Sequence, residues 1–311
     1  MTRYFKCALG PGGSFFAQAS AESWVGTGWL DSIDLTGKFP DNWRDFNKEF
    51  IPIAMEKFGM GSRVSAGLAC GQTWTLGFGL SKNDLIVSPN GQGQYQIGRI
   101  TGDYFYEAGT ALAHRRPVDW VTGLIDKGAF SDGLRRSLAT QGTVTRLEEH
   151  GPEIESFLGQ GSMPEIILGN QDLDNPSSFA LEKHLEEFLV SNWAKTDLGK
   201  GYDIYAEGGV LIGQQYSTDT GNLDILAISK DKKELLVIEL KRGRVSDVVV
   251  GQIQRYMGFV KDELCEPHQT VRGLIIGLDD DLRIQRALSV TQGIEFMKYE
   301  LDFRLVATLK P

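Results

Sequence analysis

The 311-residue chain has few of the residues that build disulfide frameworks or metal cages. Its three cysteines, Cys7, Cys70 and Cys265, are far apart and odd in number, which favours a reducing compartment and excludes a zinc site built on CxxC pairs. Its four histidines are scattered and form no metalloprotease or zinc-finger spacing. No apolar run approaches a membrane span, and glycine and proline interrupt the apolar stretch near the N-terminus. We therefore expect a cytoplasmic protein without a membrane partner.

The chain also lacks an excess of positive charge. Its net charge is −9, and both parts are acidic: residues 176–311 hold 17 Lys and Arg against 21 Asp and Glu, and residues 1–175 hold 15 against 20. Nucleic-acid binding usually needs a basic surface, so any such surface must be local. Arg242 and Arg244, which follow Lys241 closely, are one candidate. The length and the 41% hydrophobic content are those of a folded protein of about two domains.

One stretch predicts a β-hairpin followed by a helix, with strands at Leu223–Ile228 and Glu234–Lys241 and a helix at Ser246–Val260. Side chains two residues apart on a strand share a face. Glu239 and Lys241 therefore point the same way, together with the apolar residues Leu235 and Val237. The opposite face of that strand carries Leu236, Ile238 and Leu240.

Asp224, Glu239 and Lys241 are charged residues within strands that are otherwise apolar, and burying them is costly without compensation. A divalent cation held by the two carboxylates would compensate them, because Mg²⁺ binds one or two carboxylates together with water and phosphate oxygens. Lys241 would then orient or deprotonate a water molecule or neutralise a phosphate. The alternative is a hairpin with an ordinary ion pair at one end of its sheet.

The helix carries Gln252 and Tyr256 four residues apart on one stripe. The order Asp, ExK and QxxxY is that of the PD-(D/E)xK nucleases, and the block GNLDILAI…VIELKRG…GQIQRYMGFV resembles the C-terminal domain of NucS-type, RecB-like endonucleases. The resemblance covers residues 176–311 and implies an α/β restriction-endonuclease-like domain, a mixed sheet flanked by helices. It also implies Mg²⁺ or Mn²⁺ as the cofactor.

The same resemblance assigns roles to individual residues. Asp224, Glu239 and the backbone carbonyl of Leu240 would bind the metal, Lys241 would act on the water, and Gln252 and Tyr256 would hold the lysine, the water or a phosphate. The first helix of the family often supplies a further carboxylate. Glu182 is the position that matches it, with Glu186 as the second choice, although both are equally consistent with exposed helix residues.

Residues 1–125 are rich in glycine, aromatic residues and short alternating runs, which predicts a mainly β domain with a helix at Asp41–Phe58. Strands are predicted at Thr73–Phe78, Asp84–Val87, Tyr95–Thr101 and Asp103–Glu107. Residues 126–175 predict a helical connector or linker.

The segments KNDLIVSPNGQGQYQIGRITGDYFYE and HRRPVDWV resemble the PUA/EVE-like β-barrel modules that precede some Mrr-type and modification-dependent restriction enzymes. The resemblance implies an aromatic cage that receives a flipped or modified base. The available aromatic residues, most of which would serve the core, are Trp24, Trp29, Trp74, Tyr104, Tyr106 and Trp120. His114, Arg115 and Arg116 would contact DNA phosphates or form a solvated basic corner.

Three functions are consistent with the sequence. The first is a metal-dependent endodeoxyribonuclease, a homodimer on symmetry grounds, that restricts modified or phage DNA recognised by residues 1–125. The second is a NucS-like repair endonuclease acting on mismatched or branched DNA. The third is a nucleic-acid or nucleotide sensor with an inactive nuclease fold, against which the complete set of Asp224, Glu239 and Lys241 argues.

Overall fold

The computed structural model describes residues 2–140, 142–158 and 185–299, and for residues 242–244 it describes the backbone. Two sheets organise these residues, one in the N-terminal region and one in the C-terminal region. No helix among the residues described is both long and apolar enough to cross a membrane.

The N-terminal region combines an eight-stranded sheet with helices. The main path of the sheet runs β2-β6-β4-β3-β1-β8, with β5 on β6 and β7 on β4. Among the strand pairs described in this sheet, β1–β3 is parallel and the others are antiparallel. In chain order the elements are β1 (Tyr4–Cys7), α1 (Phe16–Ala21), β2 (Trp24–Thr27), α2 (Trp43–Phe58), α3 (Arg63–Trp74), β3 (Leu85–Pro89), β4 (Gln94–Ile100), β5 (Phe105–Tyr106), β6 (His114–Trp120), β7 (Ile125–Asp126), α4 (Asp132–Ala139), β8 (Val144–Arg146) and α5 (Gly151–Ser156).

This sheet is a curled half-barrel, so the closed PUA/EVE-like barrel predicted from the sequence is not confirmed. Its path ends at β2 and at β8, and these two strands do not pair with each other in the part of the chain described. The predicted helix at Asp41–Phe58 is confirmed as α2, which Asn42 caps by accepting a hydrogen bond from the Asp45 N–H. Strand β8 pairs with β1, so the described part of the predicted connector joins the N-terminal sheet.

The strand predicted at Thr73–Phe78 is wrong, because this segment continues α3 and then forms a π-helical turn at Thr75–Gly79. The hydroxyls of Thr73 and Thr75 donate hydrogen bonds to helix carbonyls four residues earlier, at 2.9 and 2.8 Å. The β-branched and aromatic residues here give the segment a strand propensity. The helix forms nonetheless, and its carbonyls accept hydrogen bonds from the two threonine hydroxyls.

The C-terminal region is a mixed α/β layer structure, as predicted. Its sheet runs β12-β13-β14-β15-β16, with β9 also pairing with β13. Strands β12 to β14 are antiparallel, and β14, β15 and β16 are parallel. The elements are α6 (185–192), α7 (Leu198–Gly201), β9 (Tyr202–Ile204), β10 (Ala206–Glu207), β11 (Val210–Leu211), β12 (Gln214–Thr218), β13 (Gly221–Ser229), β14 (Glu234–Val245), α8 (Val248–Phe259), β15 (Thr270–Asp280), α9 (Leu282–Ser289) and β16 (Ile294–Lys298).

Helices cover both faces of this sheet. Leu226, Leu235 and Val237 pack with residues of α8 and α9 on one face. Ile225, Leu236, Ile238 and Leu240 pack with α6 and Trp193 on the other. The alternation along β13 and β14 therefore divides the core into two layers, and it also decides which layer each charged residue enters.

The two regions are joined through α2 and α3. Val64 of α3 belongs to the same core as Tyr216 and α8, and the Tyr216 hydroxyl donates a 2.8 Å hydrogen bond to the Val64 carbonyl. The buried carboxylate of Glu263 accepts a hydrogen bond from the Asn47 amide, and the Arg63 guanidinium donates to the Glu263 carbonyl at 2.8 and 3.1 Å. The N-terminal helices thus contact β12, the strand beside the candidate site.

Candidate active site

Strands β13 and β14 bring Asp224 and Glu239 to the same face of the sheet. Ile225 pairs with Ile238, and Leu226 pairs with Val237. Asp224 lies two residues before Leu226, and Glu239 lies two residues after Val237. Both carboxylates are therefore on the face of the sheet that packs against α8. The predicted division of the strand faces is confirmed.

Glu239 is the centre of a charged hydrogen-bond cluster. Its side chain is 2% exposed. Its Oε1 atom lies 3.0 Å from Nζ of Lys241 and accepts a 2.6 Å hydrogen bond from the Gln252 amide. Lys241 is 27% exposed, so its ammonium group faces solvent on one side and the buried carboxylate on the other. Lys241 and Gln252, two of the five residues predicted as catalytic, therefore both contact a third, Glu239.

Asp224 accepts hydrogen bonds through both carboxylate oxygens. The Leu240 N–H donates to Oδ2 at 2.8 Å, and the Gln215 amide donates to Oδ1 at 3.1 Å. Burial raises the pKa of Asp224, while the Leu240 N–H, the charge of Lys241 and the Gln215 amide oppose that rise. Ionised Asp224 therefore carries a desolvation cost that Lys241 offsets only in part, and a bound metal ion would offset it further.

Gln215 is a site residue that the sequence did not reveal. The same amide nitrogen that donates to Asp224 donates to Oε2 of Glu186 at 2.6 Å, and the neighbouring Gln214 amide donates to Oε1 of Glu186 at 2.7 Å. Adjacent residues on a regular strand point to opposite faces, but Gln215 has a left-handed φ of 51°, which lets both amides reach one carboxylate. No local pattern in β12 signals this geometry.

Helix α6 supplies a carboxylate near the site, at Glu186. Glu186 is buried, and Gln215 links it to Asp224. Glu182, the first choice from the sequence, lies outside the described residues. Glu186, the second choice from the sequence, is the carboxylate of this helix that the structure links to the site through Gln215.

Tyr256 of α8 is buried over the start of β13. Gly221 has a φ of 135°, which favours glycine, and a Cβ atom there would lie 3.1 Å from the Tyr256 hydroxyl, which is a tight contact. Burial raises the pKa of Tyr256, and the negative charges of Glu239 and Asp224 raise it further. The hydroxyl is therefore protonated near neutral pH and can donate a hydrogen bond. Arg242 and Arg244 belong to the end of β14, where the pairing with β15 shifts register between Lys241 and Arg244.

The donor set fits a hard divalent cation with an incomplete protein shell. Among the described residues no three His, Cys, Asp or Glu side chains form a closed metal cage. Mg²⁺ commonly takes one or two carboxylates and completes its shell with water and substrate phosphate. Asp224 and Glu239 on neighbouring strands match that requirement, with only oxygen ligands.

The basic segment at the start of β6 is buried and does not form the DNA-binding surface that the sequence suggested. His114 is fully buried between the Leu30 carbonyl, 3.1 Å from Nε2, and the Tyr104 hydroxyl, 2.7 Å from Nδ1. Burial lowers its pKa. Arg115 donates to the Leu112 carbonyl at 2.8 Å, and Arg116 donates to the carbonyls of two other loops. These side chains hydrogen-bond to backbone carbonyls of the protein, where the sequence suggested DNA phosphates.

The six aromatic residues proposed for base recognition do not form one cage. Trp24 and Trp120 pack in the core under the sheet, and the guanidinium of Arg115 lies 4.0 Å from the ring centroid of Trp24. The other indole and phenol groups bond to separate partners: Trp29 to Gln72 and Thr143, Trp74 to the Pro40 carbonyl, Tyr106 to the Asp31 carbonyl and Tyr104 to His114.

Comparison with known proteins divides the chain in the same way. Residues 182–304 match the family model of the endonuclease NucS C-terminal domain, and residues 11–148 match a domain of unknown function, DUF8426. Endonuclease NucS of Methanocaldococcus jannaschii is 35% identical over 74 residues, which cover 24% of this chain and 27% of that protein. The resemblance of the C-terminal region to NucS-type PD-(D/E)xK endonucleases is therefore confirmed.

Two solved structures show a weaker overall similarity. A repair endonuclease from Pyrococcus abyssi has 16% identity and a TM-score of 0.30, covering 67% of this chain and 63% of that one. The EndoMS–dsDNA2 complex has 16% identity and a TM-score of 0.32, covering 68% and 62%. The chain thus spans 27% of the NucS sequence and less than two thirds of either structure.

Proposed function

We propose that this protein, whose C-terminal region resembles the nuclease domain of NucS, is a metal-dependent endodeoxyribonuclease. The observation that carries the proposal is the contact of Lys241 and Gln252 with Glu239, beside Asp224 on the neighbouring strand. The cluster lies within the segment that matches the NucS C-terminal domain. Convergent buried charges of both signs at the end of a sheet favour a reaction site over a structural ion pair.

Asp224, Glu239 and the backbone carbonyl of Leu240 would hold Mg²⁺ or Mn²⁺, with Glu186 contributing through Gln215. When bound, the cation would polarise the phosphodiester and stabilise charge on the leaving oxygen. Gln252 fixes Glu239, and Gln215 fixes the distance between the two carboxylate-bearing elements. These amides orient the ligands as outer hydrogen-bond partners do in other metal sites.

Lys241 has the exposure that a catalytic lysine needs. Its Nζ reaches solvent and contacts Glu239 at 3.0 Å, so it can hold a water molecule in line with a phosphate or donate to a phosphate oxygen. Tyr256, whose hydroxyl keeps its proton near neutral pH, contacts Gln252 and would hold that amide, the water or a phosphate in place. Arg242 and Arg244 follow immediately and would contact the backbone of the DNA.

For the substrate, we favour double-stranded DNA with a mismatch or a branch. The match to NucS supports this choice over restriction of phage DNA. One site of this kind cuts one strand, so a double-strand break would require a homodimer or two successive nicks. Restriction of modified DNA is the second candidate, in which residues 11–148, a separate domain that matches DUF8426, would select the DNA.

The test is cleavage of labelled duplexes that are fully paired, mismatched, branched or modified, in Mg²⁺, in Mn²⁺ and in chelator. Wild type should cut mismatched or branched duplexes only with a divalent cation. Lys241→Ala should reduce cleavage about 10²- to 10⁴-fold, the usual contribution of a positioned proton donor or acceptor. Lys230→Ala, at an exposed lysine of the same hairpin, is the matched control.

Equal cleavage by wild type and Lys241→Ala would refute the assigned site. A preference for modified over unmodified paired duplexes would instead support the restriction candidate. Binding by wild type without any cleavage would favour a sensor with an inactive nuclease fold.

A further inference from the structure

Strand β12 changes the face that it presents at one residue. Gln214 lies on the α6 side of the C-terminal sheet, where its amide bonds to Glu186, whereas Tyr216 lies on the α8 side, in the core that contains Leu223. Residues two apart on a regular strand share a face. The left-handed φ of 51° at Gln215, between these two residues, therefore accounts for the change of face.

This backbone conformation is also the one that joins two carboxylates. The strand pairs on either side of it place Gln215 opposite Asp224, and its amide nitrogen lies 3.1 Å from Oδ1 of Asp224 and 2.6 Å from Oε2 of Glu186. A left-handed φ is sterically unfavourable for a residue with a Cβ atom, and it persists where the surrounding structure holds it. The link between the carboxylates therefore depends on whatever fixes β12 beside Gln215.

Tyr216, the next residue, fixes β12 to helix α3 of the N-terminal region. Its side chain is fully buried, and its hydroxyl donates a 2.8 Å hydrogen bond to the Val64 carbonyl in the first turn of α3. Burial raises the pKa of Tyr216, so the hydroxyl keeps its proton and acts as a donor. A Cβ atom on Gly67, one turn along α3, would lie 3.1 Å from this hydroxyl, so glycine there lets the helix pack closely on β12.

Helix α3 is itself held at both ends, by different regions. At its start, the Ser62 hydroxyl and the Gly61 N–H donate to the carboxylate of Glu207 at 2.7 and 2.9 Å, in the C-terminal region. Near its end, the Gln72 amide oxygen accepts a 2.8 Å hydrogen bond from the Thr143 N–H, which precedes β8 of the N-terminal sheet. The position of the carbonyl that receives the tyrosine therefore depends on both sheets.

We propose that Tyr216 is a positioning residue of the nuclease site: its bond to α3 holds Gln215 in the conformation that joins Glu186 to Asp224. The proposal rests on the nuclease function and deepens it, because it makes metal binding in the NucS-like segment depend on an N-terminal helix. Without the hydroxyl, Gln215 relaxes towards an extended φ and its amide leaves one of the two carboxylates. Metal ligands that lose an outer hydrogen-bond partner bind the ion more weakly.

The first measurement is the affinity of the full chain for Mn²⁺ without DNA, by isothermal titration calorimetry. Tyr216→Phe removes the hydroxyl and keeps the ring. It should weaken Mn²⁺ binding roughly tenfold, the lower end of the usual effect of losing an outer hydrogen-bond partner. Tyr202→Phe is the matched control, because it removes a hydroxyl that bonds to Glu234 at the end of β13 away from Asp224, and it should bind Mn²⁺ as wild type does.

Cleavage then separates positioning from chemistry. Saturating Mn²⁺ should restore the cleavage rate of Tyr216→Phe to nearly that of wild type, and the KM for DNA should not change, because the altered quantity is metal affinity. The same Mn²⁺ concentration should not restore Lys241→Ala. A rate for Tyr216→Phe that stays low at saturating Mn²⁺ would contradict the assigned role.

A double-mutant cycle tests whether Tyr216 acts through Gln215. Gln215→Gly keeps the left-handed φ accessible and removes the amide, and it should weaken Mn²⁺ binding roughly 10- to 100-fold. Adding Tyr216→Phe should weaken binding no further, because the amide through which the tyrosine acts is already absent. Losses that add up in the double variant would overturn the proposal.

The geometry can also be read without metal or DNA, from the side-chain amide signal of Gln215 in the ¹H–¹⁵N spectrum of protein labelled at glutamine. Gln215→Gly identifies the signal by its disappearance. Tyr216→Phe should shift it towards the position of a solvent-exposed glutamine amide, and Tyr202→Phe should not.

This spectrum distinguishes the failure of the proposal from the failure of the nuclease. A signal that Tyr216→Phe leaves unchanged overturns the positioning role, even if wild type binds Mn²⁺ and cuts DNA. A shifted signal in a protein that binds no Mn²⁺ and cuts nothing keeps the link from α3 to Gln215 and refutes the nuclease.

Discussion

The N-terminal and C-terminal sheets bury charged side chains in different ways. In the N-terminal sheet, Lys6 and Arg115 are each buried without an ion pair among the described residues. Lys6 donates to the Thr140 carbonyl, and Arg115 donates to the Leu112 carbonyl. In the C-terminal sheet, Asp224, Glu239 and Lys241 converge at one end, where the Gln215 amide bonds to Asp224 and the Gln252 amide bonds to Glu239. The first arrangement satisfies each charge locally, whereas the second concentrates charge at one place.

The difference separates structural from functional charge. A cation bonded to backbone carbonyls stabilises the loops that supply them, and its burial keeps it from contacting a substrate. A converging group of carboxylates and a lysine gains little stability from its own contacts, because desolvation offsets most of the attraction. Substitutions should therefore have opposite consequences in the two sheets: loss of activity in one and loss of stability in the other.

The largest expected effect is that of Glu239→Gln. Removing the buried carboxylate should lower the cleavage rate about 10²- to 10⁴-fold, because it removes a proposed metal ligand and the partner of Lys241. The free energy of unfolding should change by less than about 1 kcal/mol or increase, since burying an amide of the same shape costs much less than burying an ionised carboxylate. Turnover on a mismatched duplex and urea denaturation measure the two quantities.

The contrast between the sheets would break down if Glu239→Gln lowered stability by more than about 3 kcal/mol, the cost of breaking a structural buried ion pair. A loss of activity no larger than the loss of folded protein would also indicate that Glu239 has a structural role and not a catalytic one.

The next effect is that of Arg115→Met in the N-terminal sheet. Losing the cation–π contact with Trp24 and the hydrogen bond to Leu112 should lower stability by roughly 2–3 kcal/mol. DNA affinity at low salt should not change, because the guanidinium is buried. Arg146→Met, at an exposed arginine of β8, is the control, and its stability should stay within about 0.5 kcal/mol of wild type.

A fall in DNA affinity for Arg115→Met beyond that of the Arg146 control would restore the phosphate-binding role suggested by the sequence. Anisotropy with a paired duplex, measured over a range of salt concentrations, distinguishes lost phosphate contacts from partial unfolding.

The parts of the site that could be predicted from the sequence are those that depend on local periodicity. The two-residue repeat of β14 placed Glu239 and Lys241 on one face, and the four-residue spacing of α8 placed Gln252 on the stripe that reaches them. The C-terminal fold followed from the same patterns, because its strands and helices have long, regular apolar repeats.

The parts that could not be predicted depend on distant backbone. Gln215 acts through a left-handed φ in β12 and through a carboxylate on α6, and neither is encoded in its neighbours. His114 and Arg116 look like a surface patch in the sequence, but carbonyls far along the chain bury them. The segment Thr73–Phe78 has strand propensity that the packing of α3 overrides.

The smallest predicted effect concerns the pH dependence of the N-terminal sheet. Burial lowers the pKa of Lys6 to about 8, from 10.5 in an exposed lysine, and its ammonium donates to the Thr140 carbonyl. Between these two values the unfolded chain binds more protons than the folded one, so the stability contribution of Lys6 rises with pH. From pH 7 to 9 wild type should gain about 1 kcal/mol relative to Lys6→Met. Parallel urea titrations measure the difference, and curves for the two proteins that stay parallel over this range would show that the lysine is already neutral or well solvated.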